Sequence, residues 1–207
     1  AVIFDMDGVL VNSEPIHVEV EQTNFRKLGL MILEDEHKTY QGTSNYRMWK
    51  LLREKYTIEQ TVEELVRMTN SMIISYLNSL ETIEPMPGVI QFIRKLKTIN
   101  IPLALASSST TAVIEIILQK TGMRSYFDVV VDSQMAGSSK PEPDIFLMTA
   151  QKLGVEPEKC IVIEDSSNGI KAAKLAGMFC IAFTGPGNEL QDHSQADLVI
   201  SAFDELL

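Results

Sequence analysis

Short apolar runs of strand length recur along the chain and alternate with stretches of helical periodicity. The apolar runs lie at residues 2–4, 103–106, 129–131, 161–163, 181–183 and 198–200. Apolar residues three or four positions apart fill the intervals 89–96, 113–118, 145–153 and 170–176. Strands that alternate with helices predict an α/β fold with a doubly wound, mainly parallel sheet.

One interval, residues 14–84, breaks this alternation. It contains no convincing strand pattern, and its apolar residues keep helical spacing over 16–28, 46–56 and 62–80. Pro85, Pro87 and Gly88 then close it. We therefore predict a helical insertion of the four-helix-bundle type directly after the first strand. It divides the core into residues 1–13 and 85–207, and the two chain crossings would allow the insert to hinge.

Composition and charge narrow the class of protein. The 207 residues are 45% hydrophobic and 22% charged, which is ordinary for a soluble protein with one core and a small accessory domain. A net charge of −10 argues against nucleic acids and anionic membrane surfaces as partners. No apolar run reaches 18 residues and no signal peptide precedes the first strand, so we expect a cytoplasmic protein. We also expect a monomer. Cys160 and Cys180 lie in apolar runs and are predicted to be buried free thiols.

Polar residues capable of chemistry gather where predicted strands end. In isolation each has an ordinary interpretation as a turn residue, a helix N-cap or a surface lysine. If the strands are parallel, however, their ends emerge on one edge of the sheet, where open α/β sheets bind ligands. The residues are Asp5 and Asp7, Ser107 with Ser108 and Ser109, Lys140, and Glu164 with Asp165.

The charges at this edge indicate a metal ion. Four carboxylates give −4 and Lys140 offsets one of them, which leaves a cluster at −3. Such a cluster is costly at close range. A divalent cation would relieve it, and ligation by oxygen without His or Cys favours Mg²⁺. A metal, a lysine and a hydroxyl that position a phosphoryl group against a carboxylate would suit phosphoryl transfer.

Four ordered motifs give the chain a family resemblance. The segments FDMDGVL (4–10), LALASSS (103–109), SKPEPDIF (139–146) and IEDSSNGI (163–170) resemble the haloacid dehalogenase superfamily. More closely, they resemble its β-phosphoglucomutase-like branch, which carries a helical cap after the first strand. The resemblance covers essentially the whole chain.

The resemblance implies roles for the core residues. Asp5 would be the nucleophile that forms an aspartyl-phosphate. Asp7 would be the general acid on the leaving oxygen and then the base on the attacking water. Ser107 and Lys140 would hold the phosphoryl oxygens. The presence of Asp7 argues against dehalogenases and phosphonate-cleaving relatives, which lack an acid there.

The resemblance also implies a Mg²⁺ site. Asp165, the carboxylate of Asp5 and the backbone carbonyl of Asp7 would be ligands. Glu164 would be an additional or water-mediated one. Substrate contacts would come from Ser108 and Ser109 in the core, and from His17, Gly42, Thr43 and Ser44 in the cap.

Two positions in the cap bear on the type of reaction. The β-phosphoglucomutases carry an Arg after their equivalent of Gly42-Thr43-Ser44, where this chain has Asn45, and a cap Lys that falls near Thr69 here. Arg47 or Arg67 could restore either contact in a shifted register. His17 matches a mutase His that controls access to the acid–base Asp, but it could also be an ordinary polar residue of the first cap helix.

These observations predict a Mg²⁺-dependent phosphohydrolase that acts on a small phosphorylated metabolite, such as a sugar phosphate. The alternative is a β-phosphoglucomutase that interconverts β-glucose 1-phosphate and glucose 6-phosphate. A third possibility is a catalytically silent binding protein on the same fold. Met48 and Trp49 could line a substrate cavity between cap and core, but their helical spacing favours the core of the cap. No role is assigned to His37 or His193.

Overall fold

The chain forms two compact units. The structure, a computed structural model, describes residues 1–40, 43–186 and 191–207. One unit contains residues 1–13 and 81–207, and the other contains residues 14–80. We call them the core unit and the helical insert. Residues 81–84, which the sequence pattern assigned to the insert, belong to the core unit. The chain rejoins that unit next to the point where it left, since Val11 forms a bridge with Pro85 and the Met86 amide donates to the Leu10 carbonyl.

The elements alternate as the sequence predicts, with one helical interval after the first strand. In chain order they are β1 (Val2–Phe4), α1 (Glu14–Lys27), α2 (Glu34–Lys38), α3 (Asn45–Lys55), α4 (Val62–Ser79), α5 (Val89–Thr98), β2 (Leu103–Ser107), α6 (Thr111–Lys120), β3 (Val129–Asp132), α7 (Ser133–Ala136), α8 (Asp144–Leu153), β4 (Ile161–Glu164), α9 (Ser167–Leu175), β5 (Phe179–Phe183) and β6 (Leu198–Ile200).

The core unit is built on one parallel sheet with the strand order β3-β2-β1-β4-β5-β6. The first strand of the chain therefore lies in the middle, where Phe4 pairs with Leu105 on one side and Ile163 on the other. The order of the strands reverses between β1 and β4. Crevices at such reversal points, outside the carboxyl ends of the strands, are where doubly wound sheets bind ligands. This sheet confirms the predicted α/β fold.

Both faces of the sheet are covered. Ile3 faces one apolar layer, in which α8 and α9 contribute Phe146 and Ile170. Phe4, the next residue, faces the other layer, because successive strand side chains point to opposite sides. There it makes edge-to-face contacts with Phe92 and Phe127. With both faces buried, the strands carry continuous apolar runs rather than alternating patterns.

The helical insert has an apolar core of its own. Phe25, Met48, Trp49, Leu52 and Leu65 are buried there, as predicted for Met48 and Trp49. The indole nitrogen of Trp49 donates to the Thr69 hydroxyl at 2.9 Å. This bond allows an indole to be buried without an unsatisfied donor.

Two further predictions concern the whole chain. Cys160 and Cys180 are buried free thiols, as predicted, and burial raises the pKa of Cys180 to about 12. Within the described residues, none of the helices is long and apolar enough to cross a membrane.

Candidate active site

Asp5 lies where the central strand leaves the sheet. Its amide still donates to the Ile163 carbonyl at 2.9 Å, so the backbone continues the ladder one residue beyond Phe4. The chain then turns sharply, because the amides of Leu10 and Val11 both return to the carbonyl of the fully buried Met6. This loop fixes Asp5 and Asp7 at the carboxyl edge of the sheet.

Lys140 joins the carboxylates that follow two neighbouring strands. Its Nζ lies 2.5 Å from Asp5 Oδ1 and 2.5 Å from Glu164 Oε1. The three side chains are only 6%, 8% and 1% exposed, respectively. The Ala106 carbonyl lies 3.4 Å from the same nitrogen. Asp5 and Lys140 are 135 positions apart, so this contact depends on the assembled sheet.

Asp7 is held by hydroxyl groups. Ser13 Oγ donates to Asp7 Oδ1 at 2.5 Å, and Ser109 Oγ donates to Oδ2 at 2.8 Å. Ser107 Oγ lies farther from Oδ2, at 3.5 Å, and accepts the Ser109 amide at 3.0 Å. Ser108 is exposed. The turn after β2 therefore directs two serines at Asp7 and leaves one toward solvent.

Glu164 ends β4, Asp165 follows it, and the two residues differ in their surroundings. Both carboxylate oxygens of Glu164 accept hydrogen bonds. Oε1 accepts from Lys140 Nζ, and Oε2 accepts from the amide and the hydroxyl of Ser166 at 2.8 and 2.9 Å. A Cβ at Gly169 would overlap the Glu164 carboxylate, and a Cβ at Gly8 would overlap that of Asp165. Gly8 also has a φ of +79°, a conformation that other residues rarely adopt.

The site carries more negative than positive charge. Burial raises the pKa of Asp5 to about 8, and Glu164 and Asp7 add to this effect although Lys140 opposes it. Burial, followed by the charges of Glu164 and Asp5, raises the pKa of Asp165 well above its usual value. Burial lowers the pKa of Lys140, but its two carboxylate partners outweigh this and keep it protonated.

This charge balance bears on the implied metal ion. In the part of the chain that the structure describes, no three His, Cys, Asp or Glu side chains form a group that could hold a metal. The set implied by the resemblance requires only two carboxylates, those of Asp5 and Asp165, together with the Asp7 carbonyl. Both carboxylates have raised pKa values, which mark a place where more positive charge would be favourable. An all-oxygen donor set of this kind fits Mg²⁺.

Comparison with known proteins places this geometry in a family. The family model of the haloacid dehalogenase-like hydrolases matches residues 1–177. The chain belongs to this family. The hydrolase is 33% identical over 178 residues to a phosphorylated carbohydrates phosphatase of Thermotoga maritima, covering 86% of this chain and 82% of the relative. It is 31% identical over 212 residues to the β-phosphoglucomutase of Bacillus subtilis, covering 100% and 91%.

Solved structures agree with this assignment. The crystal structure of CbbY from Rhodobacter sphaeroides in complex with phosphate matches with a TM-score of 0.89 and 28% identity, over 99% of this chain and 95% of that one. Relatives of both kinds, phosphatases and a mutase, support an enzyme with phosphatase activity. The hydrolase therefore has the fold and the family predicted from its motifs.

Two of the four predicted substrate residues of the helical insert, Thr43 and Ser44, make local contacts. The amide and hydroxyl of Thr43 donate to the Tyr40 carbonyl at 3.0 and 2.6 Å. Ser44 caps α3 by accepting the Arg47 amide. His17 lies half-buried on α1. Gly42, the remaining candidate of this group, lies outside the described residues.

The two positions that the resemblance matches to mutase cations, 45 and 69, carry neutral side chains in this chain. Thr69 is fully buried, and its hydroxyl accepts from Asn24 at 3.0 Å as well as from Trp49. Asn45 donates to the side-chain oxygen of Asn70 at 3.2 Å. A lysine at position 69 would need to bury its charge in the core of the insert. Arg47 and Arg67, by contrast, are exposed.

Sequence reasoning missed two contacts near the carboxylates. Ser13 bonds Asp7, although its position at the end of the first core segment suggested no definite role. His193 Nε2 lies 2.7 Å from the backbone carbonyl of Asp165. A lone histidine in a polar segment, 28 positions away, carries no local signal for such a contact.

Proposed function

We propose that this hydrolase is a Mg²⁺-dependent phosphatase of small phosphorylated metabolites, of the sugar-phosphate class, that works through an aspartyl-phosphate at Asp5. The observation that carries the proposal is the position of the Asp5 carboxylate. It lies at the reversal point of the sheet, bonded to Lys140 and two residues before a second carboxylate that hydroxyl groups hold in place. The proposed nucleophile Asp5, the cation Lys140 and the proposed acid–base group Asp7 thus lie together at the carboxyl edge of the sheet.

The reaction would occur in two displacements. An Asp5 oxygen attacks phosphorus, and the bond from phosphorus to the substrate oxygen breaks while Asp7 gives that oxygen a proton. Water then attacks the phosphorus of the aspartyl-phosphate and transfers a proton to Asp7. The bond from phosphorus to Asp5 breaks, phosphate leaves, and Asp5 is restored.

Lys140 and the nearby hydroxyl groups would support both steps. The Lys140 ammonium keeps a positive charge beside the transferring group, and Ser107 lies at the end of the adjacent strand. Bound Mg²⁺ would supply the charge that lets a phosphate anion approach an anionic site. We propose that Glu164 acts mainly by holding Lys140 and the Ser166 turn, because both of its oxygens already accept these bonds.

The neutral side chain of Asn45, where the resemblance expects a mutase Arg, supports hydrolysis over phosphoryl isomerisation. A mutase must hold a bisphosphate and turn it round, which requires cations at two places. The Thermotoga relative is a phosphatase of phosphorylated carbohydrates by name. We propose the same substrate class here, with selection by the helical insert. The full-length likeness to a β-phosphoglucomutase makes the mutase the second candidate.

One incubation separates the two functions. The protein is supplied with Mg²⁺ and β-glucose 1-phosphate, with and without trace β-glucose 1,6-bisphosphate, and phosphate and glucose 6-phosphate are followed together. Phosphate without isomerisation supports the proposal and leads to a panel of sugar monophosphates. Catalytic glucose 6-phosphate that depends on the bisphosphate would establish the mutase instead.

Two variants test the nucleophile itself. Asp5→Asn should abolish turnover while Asp35→Asn, an exposed change in the insert, should retain it. A folded wild-type protein that releases no phosphate from any member of the panel would favour the silent binding protein. A folded Asp5→Asn protein with near wild-type turnover would refute the role of Asp5.

A further inference from the structure

Three consecutive residues, Gln191, Asp192 and His193, contact the turn that carries Asp165. We call them the strap. Gln191 Oε1 accepts the Ser167 amide at 2.9 Å and the Ser167 hydroxyl at 3.1 Å. The Asp192 amide donates to Ser167 Oγ at 2.6 Å. The strap therefore holds the first residue of α9 by both its backbone and its side chain.

His193 provides the contact closest to the proposed chemistry. Its Nε2 lies 2.7 Å from the Asp165 carbonyl oxygen, and the contact is partly buried. A carbonyl oxygen only accepts hydrogen bonds, so Nε2 carries the hydrogen and donates it. Asp165 lies between the last residue of β4 and the cap of α9. His193 thus fixes a peptide between the two elements.

The strap is itself anchored to the sheet. The Ala196 amide donates to the His193 carbonyl at 3.1 Å. Asp197 then pairs with β5, because its amide donates to the Cys180 carbonyl and its side chain accepts the Cys180 amide at 2.7 Å. Lys174 of α9 binds the same carboxylate at 2.6 Å. An anchored strap can hold the turn in place rather than move with it.

The Asp165 turn is constrained from two directions. The Asp165 carboxylate lies against Gly8, where there is no room for even a methyl group. On the backbone side, His193 holds the carbonyl of the same residue. Burial and the neighbouring carboxylates oppose a charge at this position. A buried carboxylate among like charges would otherwise relax away from them.

We propose that the strap is a positioning device, in which His193 and Gln191 hold the Asp165 turn so that its carboxylate stays in place to bind Mg²⁺. The inference rests on the proposed function, since it requires Asp165 to be a metal ligand. His193 acts through the backbone of Asp165. Groups that orient a metal ligand from behind commonly change metal affinity by about 10–100-fold when removed.

The test compares three variants by Mg²⁺ titration of thermal stability, which reports binding without turnover. His193→Leu removes the donor, while His193→Gln keeps a donor of similar reach. Gln195→Leu is the matched control, because Gln195 is exposed in the same segment. The quantity compared is the Mg²⁺ midpoint, the Mg²⁺ concentration that gives half of the maximal rise in Tm. We expect this midpoint to rise about tenfold in His193→Leu and to stay near the wild-type value in the other two variants.

Amide hydrogen exchange gives a readout that needs no metal. In His193→Leu without Mg²⁺, exchange should quicken in residues 165–169 and stay unchanged in β2 and β5, because the strap holds that turn. Gln191→Leu should quicken the same amides. A general loss of protection across the core unit would mean that His193 serves overall stability, and the inference would be wrong.

Kinetics separates the two proposals. At saturating Mg²⁺, His193→Leu should keep a kcat within a few-fold of wild type. If the wild type is active but His193→Leu has the same Mg²⁺ midpoint and the same exchange rates, the positioning role of the strap is refuted. The phosphatase proposal is then unaffected. A wild type that neither binds Mg²⁺ nor releases phosphate would overturn both.

Discussion

Replacing Asp5 by Asn should make the metal-free protein more stable while it abolishes turnover. In the wild type, Asp5 and Glu164 share one buried ammonium, so the three groups carry a net charge of −1 once Asp5 is ionised, at and above about pH 8. Asn removes one charge and leaves Lys140 paired one to one with Glu164. The remaining pair is neutral, and a neutral pair costs less to keep out of water than three charges that do not balance.

The size of this effect follows from the Asp5 pKa. Burial and the neighbouring carboxylates raise it from 3.8 to about 8. At about 1.4 kcal/mol per pKa unit, ionised Asp5 weakens the fold by up to about 5 kcal/mol at pH 8. The Asn side chain also loses the charged contact with Lys140, so the substitution recovers only part of this loss of about 5 kcal/mol. We expect a gain of about 1–3 kcal/mol, or a rise in Tm of about 3–10 °C.

The sign of the pH dependence makes the prediction specific. For a carboxyl group whose pKa is raised by folding, the folded state binds the extra proton, so stability falls as the pH rises from about 4 to about 8. The difference between Asp5→Asn and wild type should therefore be small at pH 4 and largest near pH 8. Saturating Mg²⁺ should shrink it, because the metal stabilises only the wild type.

Calorimetry in the presence of a chelator measures this difference. Both proteins are unfolded at several pH values, with Asp35→Asn as the control for removing an exposed carboxylate. A metal-free Asp5→Asn protein that is less stable than wild type at pH 8 would refute the reasoning. So would a difference that stays constant between pH 4 and pH 8.

Three other substitutions test neighbouring features. Lys140→Met leaves the Asp5 and Glu164 carboxylates without their cation and should cost about 3–5 kcal/mol in calorimetry at pH 8, with a smaller loss at pH 5, where Asp5 binds a proton; a pH-independent loss would contradict the pairing. Gly8→Ala places a methyl group on the Asp165 carboxylate at a φ of +79°, so the Mg²⁺ midpoint should rise and stability should fall by about 1–2 kcal/mol; an unchanged midpoint would argue against Asp165 as a ligand. Thr69→Val strands two buried donors and should weaken the helical insert by about 2–4 kcal/mol in urea unfolding; a Thr69→Ser control that loses as much would show that the hydroxyl is not responsible.

The core of this site could be predicted because parallel strands align their carboxyl ends. Once residues 2–4, 103–106 and 161–163 were assigned to one parallel sheet, Asp5, Ser107 and Glu164 had to emerge together. The loop that carries Lys140 returns to the same edge. The meeting of Asp5 with groups about 100 and 160 positions away thus followed from the pattern of strands, whereas the role of Lys140 was implied by the family resemblance.

The parts that were missed depend on contacts between distant polar residues. Helix α2 is five residues long and almost entirely polar, so it shows no apolar periodicity. It is stabilised by His37, which is buried against the Phe25 ring and bonded to Glu21 at 2.6 Å. The strap was missed for the same reason, since the local sequence around His193 resembles an ordinary solvated loop. Burial of a single histidine depends on tertiary packing.

The central place of β1 has a consequence for the order in which the chain folds. Its partners lie about 100 and 160 positions downstream, and contacts between distant segments form slowly because long loops must close first. The helical insert, in contrast, is made of neighbouring helices with their own apolar core. During synthesis we expect this insert to fold while β1 still waits for both neighbours. A nascent chain would then carry a folded helical insert long before Asp5, Ser107 and Glu164 could meet, and activity would begin only with the completed sheet.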